Sequence, residues 1–168
     1  MRSTLIERFD VADDRVKQIV ADTIKDADDG ELYLESSESE ALMFDNGRLK
    51  TANYSTDEGF GLRAVAGEAT GYAHSSELSE AALLRASDAV SAVKSGYSGT
   101  LADAPPRTNR HLYSGENPIG SPSFEAKAKL LQEIDAHLRA ADPRVRQVSA
   151  SLASSWQHVE ILRADGQS

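Results

Sequence analysis

The dipeptide Asn46-Gly47, preceded by Asp45, constrains this chain more than any other feature. Asn-Gly takes the two positive φ angles of a type I′ turn at low cost, so residues 32–44 and 48–54 are expected to fold back on each other as a hairpin. A second hairpin is expected where Gly67-Glu68, a Gly-X pair suited to a type II′ turn, joins 60–66 to 69–74. Alternation assigns the faces: Phe60, Leu62, Ala64 and Ala66 lie on one side, and Gly61, Arg63 and Val65 on the other. Four adjacent antiparallel strands with one apolar face require helices to cover it.

The flanking segments supply those helices. Over 13–27, Val16, Ile19, Val20 and Ile24 recur at helical spacing. A second helix is expected from Ser76 as N-cap, with Glu77 and Glu80 in its first turn. Leu78, Ala82, Ala86, Ala89 and Val93 form its stripe, and Lys94 and Gly96 close it. A third begins near Ser121-Pro122 and runs through Phe124, Ala128, Leu131, Ile134 and Leu138 to a stop at Asp142-Pro143. Two strands are expected next, 145–152 and 156–162, separated by the polar link Ala153-Ser154-Ser155. The predicted class is α+β: an antiparallel or mixed sheet built from hairpins, with long helices packed on one face and the strand order open. One domain is expected over 1–168, with an internal loop at 103–122 rich in proline and polar residues. Asp165-Gly166 is a hairpin turn signal with almost nothing after it, so a truncation after Ser168 is expected.

Several of these residues also carry a resemblance. Glu31-Leu32-Tyr33, Asp45 through Lys50, and above all Gly59-Phe60-Gly61-Leu62-Arg63-Ala64-Val65-Ala66-Gly67-Glu68 with Thr70-Gly71-Tyr72-Ala73 resemble the amino-terminal domain of the TldD/PmbA family of bacterial zinc metalloproteases. Arg144 to Leu152 is similar to the family's strand after its second long helix. Gly59 to Ala73 looks closer to the TldD branch than to the PmbA (TldE) branch. The resemblance implies a cytoplasmic peptidase acting on unfolded or short peptides, assembled as TldD-like and PmbA-like subunits or as a homodimer. It also implies that the zinc belongs to a carboxy-terminal catalytic domain, held by a His-Glu-x-x-x-His helix. His74, His111, His137 and His158 have no such spacing, so this chain is expected to hold no catalytic residue, cofactor or metal ligand of its own.

Composition narrows the classes further. The formal charge of −9 opposes nonspecific binding to nucleic acid or anionic lipid, so neither is expected as a partner. With no cysteine there are no disulfides and no thiolate-bound metal, and the first residues lack the apolar run of a signal peptide. A cytoplasmic location is therefore expected.

Other patterns invite sharper claims and fail on context. Gly59-Phe60-Gly61-Leu62-Arg63-Ala64 fits a relaxed dinucleotide fingerprint by letters, but its glycines fall inside a hairpin strand, where they permit a bend or a close approach. Asp26, Asp28, Asp29 and Gly30 miss the EF-hand spacing and read as an acidic turn ending a helix. Asn53-Tyr54-Ser55 is a glycosylation sequon without a secretory context, and Ser36, Ser37 and Ser39 lack a nucleophile elbow.

Arg63, Tyr72 and His74 are the candidate contact residues. They are expected to meet on the exposed side of the second hairpin, lining a peptide path or a domain surface; an ordinary polar cross-strand cluster is the competing reading. Gly47, Gly59, Gly61 and Gly67 are the turn and bend positions. Two functional classes follow: the accessory amino-terminal domain of a zinc peptidase, enclosing substrate and contacting subunits, or a non-enzymatic interaction module. The second includes a PmbA-like partner and a stand-alone acidic binding domain.

Overall fold

A computed structural model describes residues 4–102 and 115–163. Its elements are α1 (Asp13–Ile24), β1 (Asp29–Asp45), β2 (Arg48–Ala66), β3 (Ala69–Ser75), α2 (Glu80–Ser91), α3 (Phe124–Ala141) and β4 (Ser149–Arg163). The strands form one sheet in the order β3-β2-β1-β4. Every neighbour is antiparallel: two-residue turns join β1 to β2 and β2 to β3, and β4 runs back along β1. At one end of β1, Arg163 bonds Asp29 at 2.9 Å; at the other, Ser149 Oγ bonds Asp45 at 2.7 Å. The class is α+β, with an antiparallel sheet.

Two expected strand pairs are in fact single long strands. Residues 48–54 and 60–66 belong to the uninterrupted β2, and 145–152 and 156–162 are replaced by the continuous β4, whose first residue is Ser149. The polar links between them contain no proline, so their N–H groups remain available to the ladder, and alternation carries their side chains without a break. Polar composition alone was a poor sign of a turn there.

Both later helices start further along than expected. Ser79, not Ser76, caps α2, its hydroxyl accepting from Ala82 N at 3.1 Å. Ser123, not Ser121-Pro122, caps α3, accepting from Ala126 N at 3.3 Å. In each case a serine hydroxyl satisfies an amide that has no intrahelical partner. Helix α1 stops at Ile24 rather than 27 because Lys25 leaves the helix with ψ 137° and Asp26 then adopts a positive φ of 63°. The α3 stop falls at Ala141, immediately before Asp142-Pro143.

The chain divides into two compact units through which the long strands pass. Of the described residues, the first holds 4–36, 57–102 and 158–163. Its core joins Val16, Ile19, Val20 and Ile24 of α1, Leu32 and Leu34 of β1, Phe60, Leu62 and Ala64 of β2, and Leu83, Ala86 and Val90 of α2. The expected apolar face of β2 is thus the buried one. Thr23 Oγ1 ties α1 to α2 through Ser87 Oγ at 2.6 Å. Gly71 lets α2 lie close on β3, since a Cβ there would stand 2.7 Å from Val90 O.

Of the described residues, the second unit holds 37–56 and 115–157. Leu42, Phe44 and Leu131 form a buried apolar cluster in it, with Ala150 and Leu152 packed against them, and Ile119 and Val148 are buried as well. Its helix α3 turns Lys127, Leu131 and Asp135 inward. Lys127 Nζ is bonded to Glu40 and to the Ile119 carbonyl. Arg139 bonds Asp135 at 2.9 Å and also the side chain of Asn46 in the β1–β2 turn. Of the expected loop 103–122, residues 103–114, including His111, lie outside the described residues, as does Asp165-Gly166.

Candidate functional site

In the first unit the helices cover one face of the sheet, and strict alternation sends the remaining side chains to the other. Leu32, Leu34 and Ser36 of β1 are buried, so Asp29, Glu31, Tyr33 and Glu35 stand on the helix-free face. Gly59, Gly61 and Arg63 of β2 join them, as do Tyr72 and His74 of β3 and Arg163 of β4.

The ladder between β2 and β3 places Arg63 directly opposite Tyr72, and Gly61 opposite His74. The Tyr72 and His74 rings stack, with centroids 5.8 Å apart at an interplanar angle of 28°, and Tyr72 is 63% exposed. Tyr72 also leans over Gly61: a Cβ at that glycine would lie 2.8 Å from the phenol oxygen. The bare glycine is the space in which the ring sits. Gly59 has a different constraint, since its Cβ would meet the Ser75 carbonyl at 2.6 Å. Gly47 and Gly67 occupy the hairpin turns with φ of +76° and +60°, and Asn46 has φ 52°.

Arg63 is paired on its other side. Its Nη2 donates to Asp29 at 2.7 Å and its Nε to Glu31 at 3.1 Å. Arg163 donates to the second Asp29 oxygen at 2.9 Å and lies 3.8 Å from Glu31. Two arginines and two carboxylates thus bind β2, β1 and β4 together across one face. Partial burial works against ionisation of Asp29. The Arg63 hydrogen bond, the Gly30 amide and the charges of both arginines outweigh it and hold the carboxyl below its ordinary value. Burial likewise opposes the charge on Arg63, but Glu31 and Asp29 more than compensate and raise its pKa. Beside this cluster Tyr33 donates to Glu35 at 2.6 Å, which raises the pKa of the phenol.

Arg63, Tyr72 and His74, singled out in the sequence, share this face with Asp29, Glu31 and Arg163, which were not. The available signal was the alternation of Asp29 and Glu31 with Gly30 and Leu32, which places both carboxylates on the face that receives Arg63. Among the described residues, no group of three or more His, Cys, Asp or Glu is placed to hold a metal ion. This surface presents the stacked Tyr72 and His74 rings beside the Arg63–Asp29–Arg163 clamp.

Comparisons with known proteins agree with this architecture. Residues 30–94 match the model of PmbA/TldA metallopeptidase domain 1, and 117–168 match the PmbA/TldA metallopeptidase central domain; together they take in more than half the chain. A metalloprotease TldD homolog from Haemophilus influenzae is 33% identical over 167 residues, covering 97% of this chain and 32% of that relative. The chain therefore spans about a third of that curated relative's length. Among solved structures, a Bacteroides thetaiotaomicron protein superposes with a TM-score of 0.68 at 13% identity, covering 92% of this chain and 37% of its own. TldE from Thermococcus kodakarensis does so with a TM-score of 0.56 at 16% identity, covering 89% of this chain and 36% of its own. At these identities the likeness is one of fold.

Proposed function

The chain belongs to the PmbA/TldD metallopeptidase family, and from that premise we propose that it is the amino-terminal part of a TldD-like zinc peptidase of the cytoplasm. In this reading it helps to enclose an unfolded or short peptide and to contact a PmbA-like (TldE-like) or identical subunit. A carboxy-terminal domain beyond residue 168 supplies the zinc and its activated water. The observation that carries the proposal is the match to the two family models in order along the chain, together with a relative named as a metalloprotease aligned over nearly all of it. The helix-free face supports it, since exposed rings beside a rigid charged clamp suit contact with a peptide or a neighbouring domain.

The test is to read the source genome past the codon for Ser168 and to purify the longer product. A downstream His-Glu-x-x-x-His, stoichiometric zinc and chelator-sensitive cleavage of an unfolded polypeptide are the expected results. The 168-residue chain alone should cleave nothing. A continuation without the zinc motif, or zinc-dependent cleavage by the 168-residue chain itself, would overturn the proposal.

A further inference from the structure

Strand β3 is an edge of the sheet, and its pairing with β2 determines which of its main-chain groups face outward. A two-residue turn closes on Ala66 and Ala69, so that pair exchanges both hydrogen bonds. Bonded pairs then recur at every second position, at Ala64 with Gly71, Leu62 with Ala73 and Phe60 with Ser75. The N–H and C=O groups of Thr70, Tyr72 and His74 consequently point away from β2. All three residues are exposed, and among the described residues no strand pairs with them.

Exposed edges are ordinarily guarded by lysine, proline or a bulge. The β3 sequence ATGYAHS contains neither lysine nor proline, and its register with β2 runs without a bulge. The same alternation puts the stacked Tyr72 and His74 rings on the residues whose main chain is unpaired. An added strand would therefore bond to the backbone of Tyr72 and His74 while its alternate side chains passed beside their rings.

We infer that the outer edge of β3 is a strand-addition site for an extended peptide without net negative charge. The peptide carries aromatic or other planar side chains at alternate positions, set against the Tyr72–His74 stack. The backbone supplies the hydrogen bonds, the rings supply the preference, and the formal charge of −9 disfavours acidic chains. This deepens the peptide-handling reading above and rests on it.

The experiment is a fluorescence-anisotropy titration of the 168-residue chain with a labelled heptapeptide of alternating tyrosine and valine, capped by lysines. The same peptide with alternate N-methylated amides is the control. Thr70→Pro removes an outward N–H without touching the ladder to β2, and circular dichroism checks that the fold is kept. The inference expects saturable binding, weakened about tenfold or more by N-methylation and by Thr70→Pro. Tyr72→Ala should reduce the preference for tyrosine over alanine in the peptide. Absence of binding, or equal binding of the methylated peptide, overturns it. Light scattering that shows a dimer dissociated by Thr70→Pro also overturns it, because the edge then belongs to a second copy. Each of these failures leaves zinc-dependent cleavage by the longer protein unaffected, so the two proposals fail separately.

Discussion

The two units lay helices on the same long strands and solve burial in opposite ways. In the first, α1 and α2 press Val16, Ile19, Val20, Leu83 and Val90 onto Leu32, Leu34, Phe60 and Leu62, giving a broad dry core. In the second, α3 turns Lys127 and Asp135 inward around Leu131, while Phe124, Leu130, Ile134 and Leu138 remain between 37% and 47% exposed. The difference teaches that a helical apolar stripe does not by itself name the buried face. A hydrophobic core tolerates approximate shape, whereas a buried charge is stable only while its partner is present.

The largest way to break that contrast is at Lys127. Replacing it by methionine leaves Glu40 without its cation in a nearly closed site, and urea denaturation should show a loss of about 3–5 kcal/mol. Combining Lys127→Met with Glu40→Leu should recover most of that loss. If the double variant is as unstable as the single one, packing rather than charge holds α3.

In the first unit the matching test is Leu83→Ala, at a fully buried position. The expected cost is about 2–5 kcal/mol, with no second substitution of a charged group able to relieve it. Hydrogen exchange should report the loss in α1 and α2.

Helix caps sharpen the comparison at smaller scale. Ser79→Ala and Ser123→Ala each remove one hydroxyl acceptor and should cost about 0.5–2 kcal/mol apiece. The first is expected to cost more, because Ser79 is buried at 8% exposure and its orphaned amide has poorer access to water.

Acid should act on the first unit's clamp. Asp29 titrates below its ordinary value near 3.8, so its contribution is complete above that value. It disappears as pH falls through the lower folded-state pKa. Asp29→Asn should therefore be less stable than the parent at neutral pH, and the two stability curves should converge toward low pH. Parallel curves down to pH about 2 would show that Asp29 is not the titrating group.

Much of this architecture is legible in the order of the residues. Asn46-Gly47 and Gly67-Glu68 announce their turns because so few residue pairs accept those backbone angles. The apolar face of β2 is readable because the side-chain period in a strand is two. Strand continuity is not readable: Thr51 to Glu58 is polar and exposed, like a loop, and only the neighbouring β1 supplies the ladder that keeps it extended. The clamp is half visible. Arg63 stands out for its face, but Arg163 joins it from 100 positions further along the chain, and only the antiparallel return of β4 brings them to the same carboxylate.

By itself, then, the sequence determined the turns, the class, the inward face of the hairpins and the family, because each depends on local stereochemistry or on residue order. Tertiary structure alone decided that β3 and β4 are the sheet edges. It also decided that Lys127 is buried where Leu130 and Leu138 on the same helix are not, and that the β3 residues whose main chain faces away from β2 carry its two rings. The physical reason is that these properties are relations between segments far apart in the chain. Their energies depend on which partner is present, and a one-dimensional pattern does not contain that information.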